Sequence, residues 1–205
     1  MHVWRDRLER WLTPLARRCR MSPNAVTFMA LSLSLFAALL FGYARVYPSL
    51  FIAAMIVVIA AGLADAFDGI VARVQAKESR YGDFLDHFAD RVSDTALAIG
   101  WMAGSGVRAA LIVAAVVAIM LNGYVGTQIE ATWQERTYGT IGRGEFVLGL
   151  VVLPLVSFIL ATNGWGDVRA AGLRVAEWLT VALIALALLG IGQRLALAAR
   201  LERRQ

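Results

Sequence analysis

Residues 65–90 read DAFDGIVARVQAKESRYGDFLDHFAD, a polar interruption in a chain that is otherwise strongly apolar. Asp65 and Asp68 stand three positions apart and Asp86 and Asp90 four apart, so each pair lies on one face of a helix. An aspartate in the hydrocarbon core of a membrane costs roughly 2.5–3.5 kcal/mol on insertion scales. Two such pairs in close succession therefore indicate two helices that meet around a chemical site.

The composition is typical of a membrane protein. The chain has 205 residues, of which 59% are hydrophobic and 17% charged, with a mean hydropathy of +0.64. A soluble domain is roughly 45–50% apolar, and a chain of this length forms one domain. The net charge of +5 fits an anionic membrane surface. No nucleic-acid-binding motif accompanies that charge, so we expect no nucleic-acid partner. The single cysteine, Cys19, excludes an intrachain disulfide.

Apolar runs of roughly 20 residues are long enough to cross a bilayer. The predicted spans are residues 22–43, 48–75, 81–103, 107–132, 145–162 and 170–199. The predicted fold class is all-α: a polytopic membrane protein with six transmembrane helices, preceded by an amphipathic juxtamembrane helix. Residues 22–205 then form one transmembrane domain.

The segment 1–21 is predicted to be an amphipathic interfacial helix. Apolar residues recur in it at helical spacing, with arginines and acids between them: Trp4, Leu8, Trp11, Leu12 and Leu15. A helix of this kind lies in the headgroup layer of a membrane. The alternative is a surface helix docked on the rest of the protein.

The distribution of basic residues predicts the orientation, because Lys and Arg gather on the cytosolic side. With the N-terminus in the cytosol, most of the 20 Lys and Arg residues fall on that side. The exceptions in the opposite loops are Arg45, Arg108, Arg169 and Arg174. We therefore expect an integral protein of the inner or plasma membrane, with both termini and the aspartates at the cytosolic face.

Four aspartates form what we call the acidic cluster: Asp65, Asp68, Asp86 and Asp90. In an antiparallel helix pair they reach matching depths of roughly 10 and 15 Å, at ~1.5 Å per residue. Four uncompensated negative charges repel one another, so cations are expected. Carboxylate oxygens favour Mg²⁺, Mn²⁺ or Ca²⁺ over zinc, and two such ions about 4 Å apart clamp a pyrophosphate. Asp83 is interpreted as a solvated acid and His87 as a packed or solvated imidazole.

Small residues and one arginine flank the acidic cluster. Gly69, Ala72 and Gly82 have short side chains that let a ligand or a neighbouring backbone approach closely. Arg73 stands at the predicted cytosolic edge, where its guanidinium suits a phosphate. Together with the aspartates, these residues form the pattern D-x2-D-G-x2-A-R-x8-G-x3-D-x3-D across residues 65–90.

This pattern resembles the complete signature of the CDP-alcohol phosphotransferase family. The Ser22-Pro23-Asn24-x-x-Thr27 entry into the first span agrees with the same family. The resemblance implies transfer of a phosphatidyl-type group from a CDP-activated lipid, CDP-diacylglycerol or CDP-archaeol, to the hydroxyl of a small polar alcohol. CMP is the leaving group, and the resemblance also implies a homodimer.

The resemblance further implies a role for each matching residue. The acidic cluster holds two divalent cations, Mg²⁺ or Mn²⁺, and Asp90 is also the general base that takes the proton of the acceptor hydroxyl. The nucleotide site is lined by Gly69, Ala72, Arg73, Gly82, Asn24 and Thr27. One helical turn beyond the signature, Asp94 is either a further site residue or the buried partner of Arg91.

The acceptor pocket is expected to draw on the fourth span and the loop after it, NGYVGTQIEATWQERTYGTIGRGEF at 122–146. The candidate acceptor-binding residues are Gln128, Arg136 and Arg143. Asn122, Thr127 and Gln128 are polar within a span, so they are expected to face protein or a cavity. Family members that make phosphatidylinositol phosphate tend to carry Lys and Arg where Gly126 and Gln128 stand here, which weakens the case for an inositol phosphate acceptor.

Several functions stay open at this point. The acceptor is glycerol phosphate, inositol, inositol phosphate or serine. One alternative is transfer from a soluble CDP-alcohol, of the CDP-inositol or CDP-choline type, to an inositol phosphate or diacylglycerol acceptor. Another is a small cation transporter that uses the acidic cluster as its ion site. The acids gather at one end of the predicted bundle and the chain has no inverted repeat, which favours the enzyme.

Overall fold

The computed structural model describes residues 11–134 and 143–203, and these are almost entirely helical. The helices are α1 (residues 11–18), α2 (Pro23–Tyr43), α3 (Leu50–Val74), α4 (Arg80–Gly104), α5 (Ala109–Trp133), α6 (Arg143–Thr162) and α7 (Val175–Glu202). Two short strands, β1 (Arg169–Ala170) and β2 (Leu173–Arg174), form an antiparallel hairpin before α7. The predicted all-α class is confirmed, and α2 to α6 begin and end close to the predicted limits.

The start of the last helix differs from the prediction. A helix from residue 170 is wrong, because residues 169–174 form the hairpin. Ala171 and Gly172 have φ angles of 50° and 79°, and two left-handed residues in succession close a turn and cannot continue a right-handed helix. Helix α7 begins at Val175 instead, where a Glu177 carboxylate oxygen accepts a hydrogen bond of 2.9 Å from the backbone N–H of Arg174.

Several helices in the described part of the chain suit a membrane. Four of them, α2, α3, α5 and α7, are long and apolar enough to cross one. Helix α4 is also 25 residues long, but acids and arginines in its first half make it less apolar. The apolar part of α6, Gly149–Thr162, is shorter. The protein is therefore an integral membrane protein, and the number of six spans stays a prediction.

The bundle is organised around α2. Helix α2 packs against both α3 and α4, α5 packs against α7 and α4, and α6 packs mainly against α3. Gly100 and Gly104 leave one face of α4 without side chains, so the backbone of α2 at Ala38 and Phe41 lies directly against that face. Small residues four apart allow this close approach between membrane helices. The buried Trp101 fills the adjacent core with its large ring.

The chain reversals give the bundle two distinct ends. The starts of α2 and α4 and the end of α3 lie at one end, which we call the aspartate end because it carries the acidic cluster. The connections 44–49, 105–108 and 163–174 lie together at the opposite end. Each long helix therefore joins the two ends, and the acidic cluster is confined to one of them.

Helix α1 docks on the aspartate end. Ala16 is fully buried and packs against Ile70 and Val71 of α3. The side-chain amide of Gln75 donates to the backbone carbonyls of Cys19 and Met21, both at 3.1 Å, and so fixes the connection between α1 and α2. One face of α1 is thus docked on the rest of the protein, as in the alternative considered for this segment. The opposite face leaves Trp11 and Leu15 exposed, and residues 1–10 of the predicted interfacial helix, including Trp4 and Leu8, lie outside the described residues.

Candidate metal centre

Helix α3 carries two carboxylates near its C-terminal end. Asp65 is half-buried, and Asp68 is 7% exposed. The Thr27 hydroxyl of α2 donates a hydrogen bond of 2.6 Å to Oδ2 of Asp68. This bond fixes the orientation of the Asp68 carboxylate and leaves its other lone pairs for further partners.

Helix α4 supplies the second pair near its N-terminal end. The helix begins at Arg80 because the Ser79 hydroxyl accepts a hydrogen bond of 3.0 Å from the backbone N–H of Gly82, as an N-cap residue does. Asp86 then lies half-buried two turns into the helix, and Asp90 is only 6% exposed. The cap therefore fixes where α4 begins, and Asp86 and Asp90 follow one turn apart on the same face of the helix.

The side chains of the acidic cluster meet in two overlapping groups. Three carboxylates, those of Asp65, Asp68 and Asp86, each place an oxygen within 4.8 Å of the other two. We call them the first trio. Asp86, His87 and Asp90 form the second trio, whose ligand atoms also lie within 4.8 Å of one another. Asp86 belongs to both trios, so the two groups are adjacent.

The donor set of the two trios fits divalent cations. Mg²⁺ binds oxygen at about 2.0–2.1 Å, so that ligands on opposite sides of the ion lie about 4.2 Å apart. The ligand atoms of each trio, all within 4.8 Å of one another, are near enough to share one such ion, and carboxylate oxygens are the ligands that Mg²⁺ and Mn²⁺ prefer. Without cations, the carboxylates of one trio repel one another in surroundings that screen charge poorly.

His87 is a ligand candidate that the sequence interpretation set aside. Its side chain is 52% exposed, and Nε2 lies 4.0 Å from Oδ1 of Asp83, which is itself 69% exposed. Asp83 is thus solvated as predicted, and of the two alternatives for His87, packed or solvated, the exposure favours the solvated one. The ring of His87 nevertheless lies within reach of Asp86 and Asp90, so one of its nitrogens could also serve as a ligand.

The residues predicted to line the nucleotide site lie around the trios. A Cβ added to Gly82 would stand 3.6 Å from Oδ1 of Asn24, which places that α2 side chain beside the start of α4. A Cβ added to Gly69 would meet only the Arg73 guanidinium, at 3.6 Å, and otherwise open space. Ala72 is half-buried one turn further along α3. Packing within the chain therefore does not require a glycine at position 69. A glycine inside a helix lowers stability by roughly 0.5–1 kcal/mol relative to alanine, so its presence here favours a role in binding.

Asp94 is the buried partner of Arg91. Its Oδ2 lies 3.3 Å from Nη2 of Arg91, and its side chain is 7% exposed. Asp94 also lines a small cavity of about 60 Å³ that begins beside Asp65 and runs between α2, α3 and α4. The two alternatives for Asp94 are therefore compatible, because it pairs with Arg91 and borders the site at once.

Of the three predicted acceptor residues, Gln128 is the one whose side chain the structure describes. Gln128 lies on an exposed face of α5, where its amide donates to the Tyr124 hydroxyl at 2.7 Å. Thr127 is also exposed and donates to the carbonyl of Gly123, and the expectation that both face protein or a cavity stays a prediction. Local hydrogen bonds within the helix satisfy their polar groups. Arg136 lies outside the described residues, and Arg143 is the first residue of α6.

A buried arginine on α7 was missed by the sequence analysis. Arg194 is 8% exposed and donates from Nη1 to the carbonyl and the side-chain Oδ1 of Asn122. Its guanidinium lies against Gly126, at 3.0 Å from the position of an added Cβ. Asn122 therefore faces protein as predicted. Arg194 reaches Asn122 because α7 packs against α5. The sequence of neither helix alone predicts that packing.

Comparison with known proteins identifies relatives over most of the chain. The family model for CDP-alcohol phosphatidyltransferase matches residues 20–198. Phosphatidylinositol phosphate synthase of Mycobacterium marinum is 31% identical over 196 residues, covering 89% of this chain and 76% of that protein. Archaetidylinositol phosphate synthase of Methanothermobacter thermautotrophicus is 27% identical over 162 residues, covering 78% of this chain and 80% of that protein.

Solved structures share the fold. Phosphatidylinositol phosphate synthase of Mycobacterium tuberculosis in complex with manganese and citrate is 27% identical, with a TM-score of 0.69 over 91% of this chain and 88% of that one. The same enzyme with CDP-DAG bound is 26% identical, with a TM-score of 0.66 over 92% and 94% of the two chains. The likeness therefore extends over nearly the whole bundle, including the helices that carry the two trios.

Proposed function

The chain belongs to the CDP-alcohol phosphatidyltransferase family and is a transferase, and we propose that it moves a phosphatidyl-type group from a CDP-activated lipid to the hydroxyl of a small polar alcohol. The observation that carries this proposal is the pair of adjacent trios that share Asp86. Two neighbouring carboxylate groups of this kind suit two cations that bridge one pyrophosphate. The solved relatives with manganese and with CDP-DAG support the same assignment.

The acidic cluster would hold two Mg²⁺ or Mn²⁺ ions, in the first trio and around Asp86 and Asp90. When bound, such ions neutralise charge on the pyrophosphate and make CMP a better leaving group. Asp90, which is 6% exposed, takes the proton of the acceptor hydroxyl. The acceptor oxygen bonds to the β-phosphorus, the bond from that phosphorus to the bridging oxygen breaks, and CMP leaves with that oxygen.

The nucleotide is proposed to lie over the small residues next to the trios. Gly69 and Gly82 let the pyrophosphate approach the backbone, with Ala72 and Asn24 beside them. Arg73 donates to a phosphate oxygen from the edge of the site. Thr27 acts through Asp68, because its hydroxyl donates to that carboxylate.

We propose that the acceptor is itself a phosphorylated polyol, of the inositol phosphate type. The relatives named above make inositol phosphate lipids. The basic residues expected on α5 are absent, since Gly126 and Gln128 occupy those positions. Arg194 offers a compensating positive charge beside Gly126, and the Arg91 guanidinium contacts Gly123 on the same helix.

The acceptor is identified by the lipid product formed from CDP-diacylglycerol and Mn²⁺ with inositol phosphate, glycerol phosphate, inositol or serine. We expect inositol phosphate to react fastest. Replacing Arg194 with Gln should raise KM for it by roughly 10–100-fold, as loss of a charged hydrogen bond does. The matched control is Arg200→Gln, an exposed position on the same helix. A preference for uncharged inositol or serine, with Arg194→Gln unaffected, contradicts this acceptor.

The membrane arrangement completes the proposal. Residues 22–205 are proposed to form a domain of six spans, with the segment 1–21 at the membrane surface. The basic residues at the aspartate end, and the excess of them in both terminal segments, support a cytosolic location for the termini and the site. A homodimer is proposed from the family resemblance alone.

A further inference from the structure

A second polar cavity lies at the opposite end of the bundle from the acidic cluster. It has a volume of about 250 Å³ and is lined by the ends of α2, α4 and α6, the starts of α3 and α7, and the connection before α7. Phe51, at its wall, stands fourteen residues before Asp65 on α3, which is roughly 21 Å at ~1.5 Å per residue. The cavity is therefore separate from the metal centre, and its size suits a small polar group rather than a nucleotide.

Two arginines converge on this cavity. A Cβ added to Gly106 would stand 2.8 Å from Nη1 of Arg174 and 3.2 Å from Nη1 of Arg45, so both guanidinium groups crowd one point of the wall. Gly106 has a φ of 73°, which favours glycine, and a larger residue there would displace the arginines. Two like charges held this close favour an anion between them.

The hydrogen-bonding capacity of these arginines is not used up. Arg174 donates from Nη1 to the Gly106 carbonyl at 2.5 Å and pairs through Nη2 with Asp167 at 3.1 Å, while its buried Nε has no partner. Asp167 is 85% exposed and neutralises one of the two charges at the rim. The Arg45 guanidinium makes no hydrogen bond or ion pair with any residue that the structure describes. Within the described part of the chain, one positive charge of the cavity therefore has no acidic partner.

Two serines add a further donor. The indole N–H of Trp101 donates to Oγ of Ser157 at 3.0 Å, and Oγ of Ser157 lies 3.0 Å from Oγ of Ser105. Only one hydroxyl proton fits between two oxygens, so the other proton of this pair has no acceptor among the described residues. Both serines line the cavity. Arginine and hydroxyl donors with few acceptors are the lining that a phosphate group requires.

The surroundings of the cavity place it at the depth of lipid headgroups. Tyr43, Tyr47 and Trp165 lie at this end of the bundle with 64%, 62% and 58% of their surfaces exposed. Exposed Tyr and Trp side chains gather where a membrane meets water. In the proposed six-span arrangement, this is the level of the phosphates of the lipid leaflet opposite the metal centre.

We infer that this cavity is a second binding site that takes a phosphate group, from a phospholipid headgroup or from free phosphate. Arg45 and Arg174 supply the charge, and the serine pair supplies a neutral donor. A bound phosphate would contact all three connections at this end of the bundle, because the segments after α2, before α5 and before α7 each contribute residues to the cavity. Binding would therefore stabilise their arrangement.

The test measures binding to the purified full chain in detergent, with EDTA present so that no cation links phosphate to the acidic cluster. The probes are inorganic phosphate, followed by calorimetry, and phosphatidylglycerol against diacylglycerol, followed by native mass spectrometry. Replacing Arg45 with Gln should weaken phosphate or phosphatidylglycerol binding about tenfold or more, whereas Arg45→Lys keeps part of it. Arg169→Gln, an exposed arginine at the same end, makes the same charge change and should leave binding within about twofold of wild type.

The outcomes separate the two sources of phosphate. Arg45-dependent binding of phosphatidylglycerol alone identifies a lipid headgroup, and Arg45-dependent binding of inorganic phosphate identifies free phosphate. An unchanged melting temperature and unchanged CMP release of the Arg45→Gln variant show that its fold and its metal centre are intact. The inference is overturned if wild type binds no probe, if diacylglycerol binds as tightly as phosphatidylglycerol, or if Arg45→Gln binds as Arg169→Gln does.

Discussion

Thr27 and Asp68 form a buried hydrogen bond of 2.6 Å between α2 and α3. Because the hydroxyl fixes one carboxylate oxygen, its removal should leave Asp68 free to turn away from a bound ion. We predict that Thr27→Val lowers the affinity for Mn²⁺ by about 10–100-fold, as loss of a group that orients a metal ligand does. Titration of the purified protein with Mn²⁺, followed by electron paramagnetic resonance, measures the change.

The matched control for Thr27→Val is Ser32→Ala, which also removes a hydroxyl from α2. Ser32 is exposed and donates only to the carbonyl of Phe28, so its loss should leave Mn²⁺ affinity unchanged. Equal affinities for wild type and Thr27→Val would show that Asp68 needs no such support, or that it is not a ligand.

At the scale of single residues, helical spacing predicted which carboxylates share a face. The structure brings Asp65, Asp68 and Asp86 together as expected. The contact of Thr27 with Asp68 was not predictable in the same way, because the two residues are 41 positions apart on different helices. The hydrogen bond of Gln128 is of the opposite kind, because its partner Tyr124 lies one turn away on the same helix.

Among the elements, α7 depends on a single carboxylate at its start. Glu177 is 3% exposed, lies 2.7 Å from Nε of Arg108 and accepts from the backbone N–H groups of Arg108 and Arg174. Glu177→Ala removes these bonds together, and we predict a loss of about 1–3 kcal/mol in stability. Thermal unfolding in detergent measures it as a lower melting temperature. Glu202→Ala, an exposed acid at the other end of α7, should leave the melting temperature nearly unchanged; equal melting temperatures for both variants would contradict this role of Glu177.

Apolar runs predicted the limits of α2 to α6 well, because length and hydropathy act over many residues. The hairpin before α7 was missed for a physical reason. Its turn is set by two residues, Ala171 and Gly172, and alanine gives no signal for a left-handed conformation. The first residues of a helix depend on such local bonds, so they are the part of an element that a sequence specifies least clearly.

For the whole molecule, the proposed six spans put the two ends of the bundle on opposite sides of the membrane. Cys19 is the only cysteine, so Cys19→Ser gives a background in which one cysteine can be added at a time. We predict that a membrane-impermeant maleimide labels Val168→Cys in intact cells, and labels Lys77→Cys only after permeabilisation. Both added cysteines are at exposed positions. Labelling of both variants in intact cells would contradict the six-span arrangement.

Helix partners beyond neighbours in sequence could not be predicted from periodicity. The contact of Arg194 with Asn122 depends on the packing of α5 against α7, which are separated by all of α6. The cavity around Arg45 and Arg174 likewise joins three connections that are distant in sequence. The acidic cluster was predictable because its four aspartates fall within 26 positions of one another in the sequence. The other two features are assembled only when the complete bundle has formed.

The central claim is that the acidic cluster catalyses release of CMP from a CDP-activated lipid. The most direct measurement is CMP release from CDP-diacylglycerol and inositol phosphate by purified wild type, Asp90→Asn and Asp83→Asn, with Mn²⁺ and with EDTA. We predict that wild type releases CMP only with both acceptor and cation, and that Asp90→Asn lowers kcat by roughly 10²–10⁴-fold. Asp83→Asn, an exposed acid in the first turn of the same helix, should retain activity. Release that persists in EDTA, or a folded Asp90→Asn variant as active as Asp83→Asn, would contradict the account.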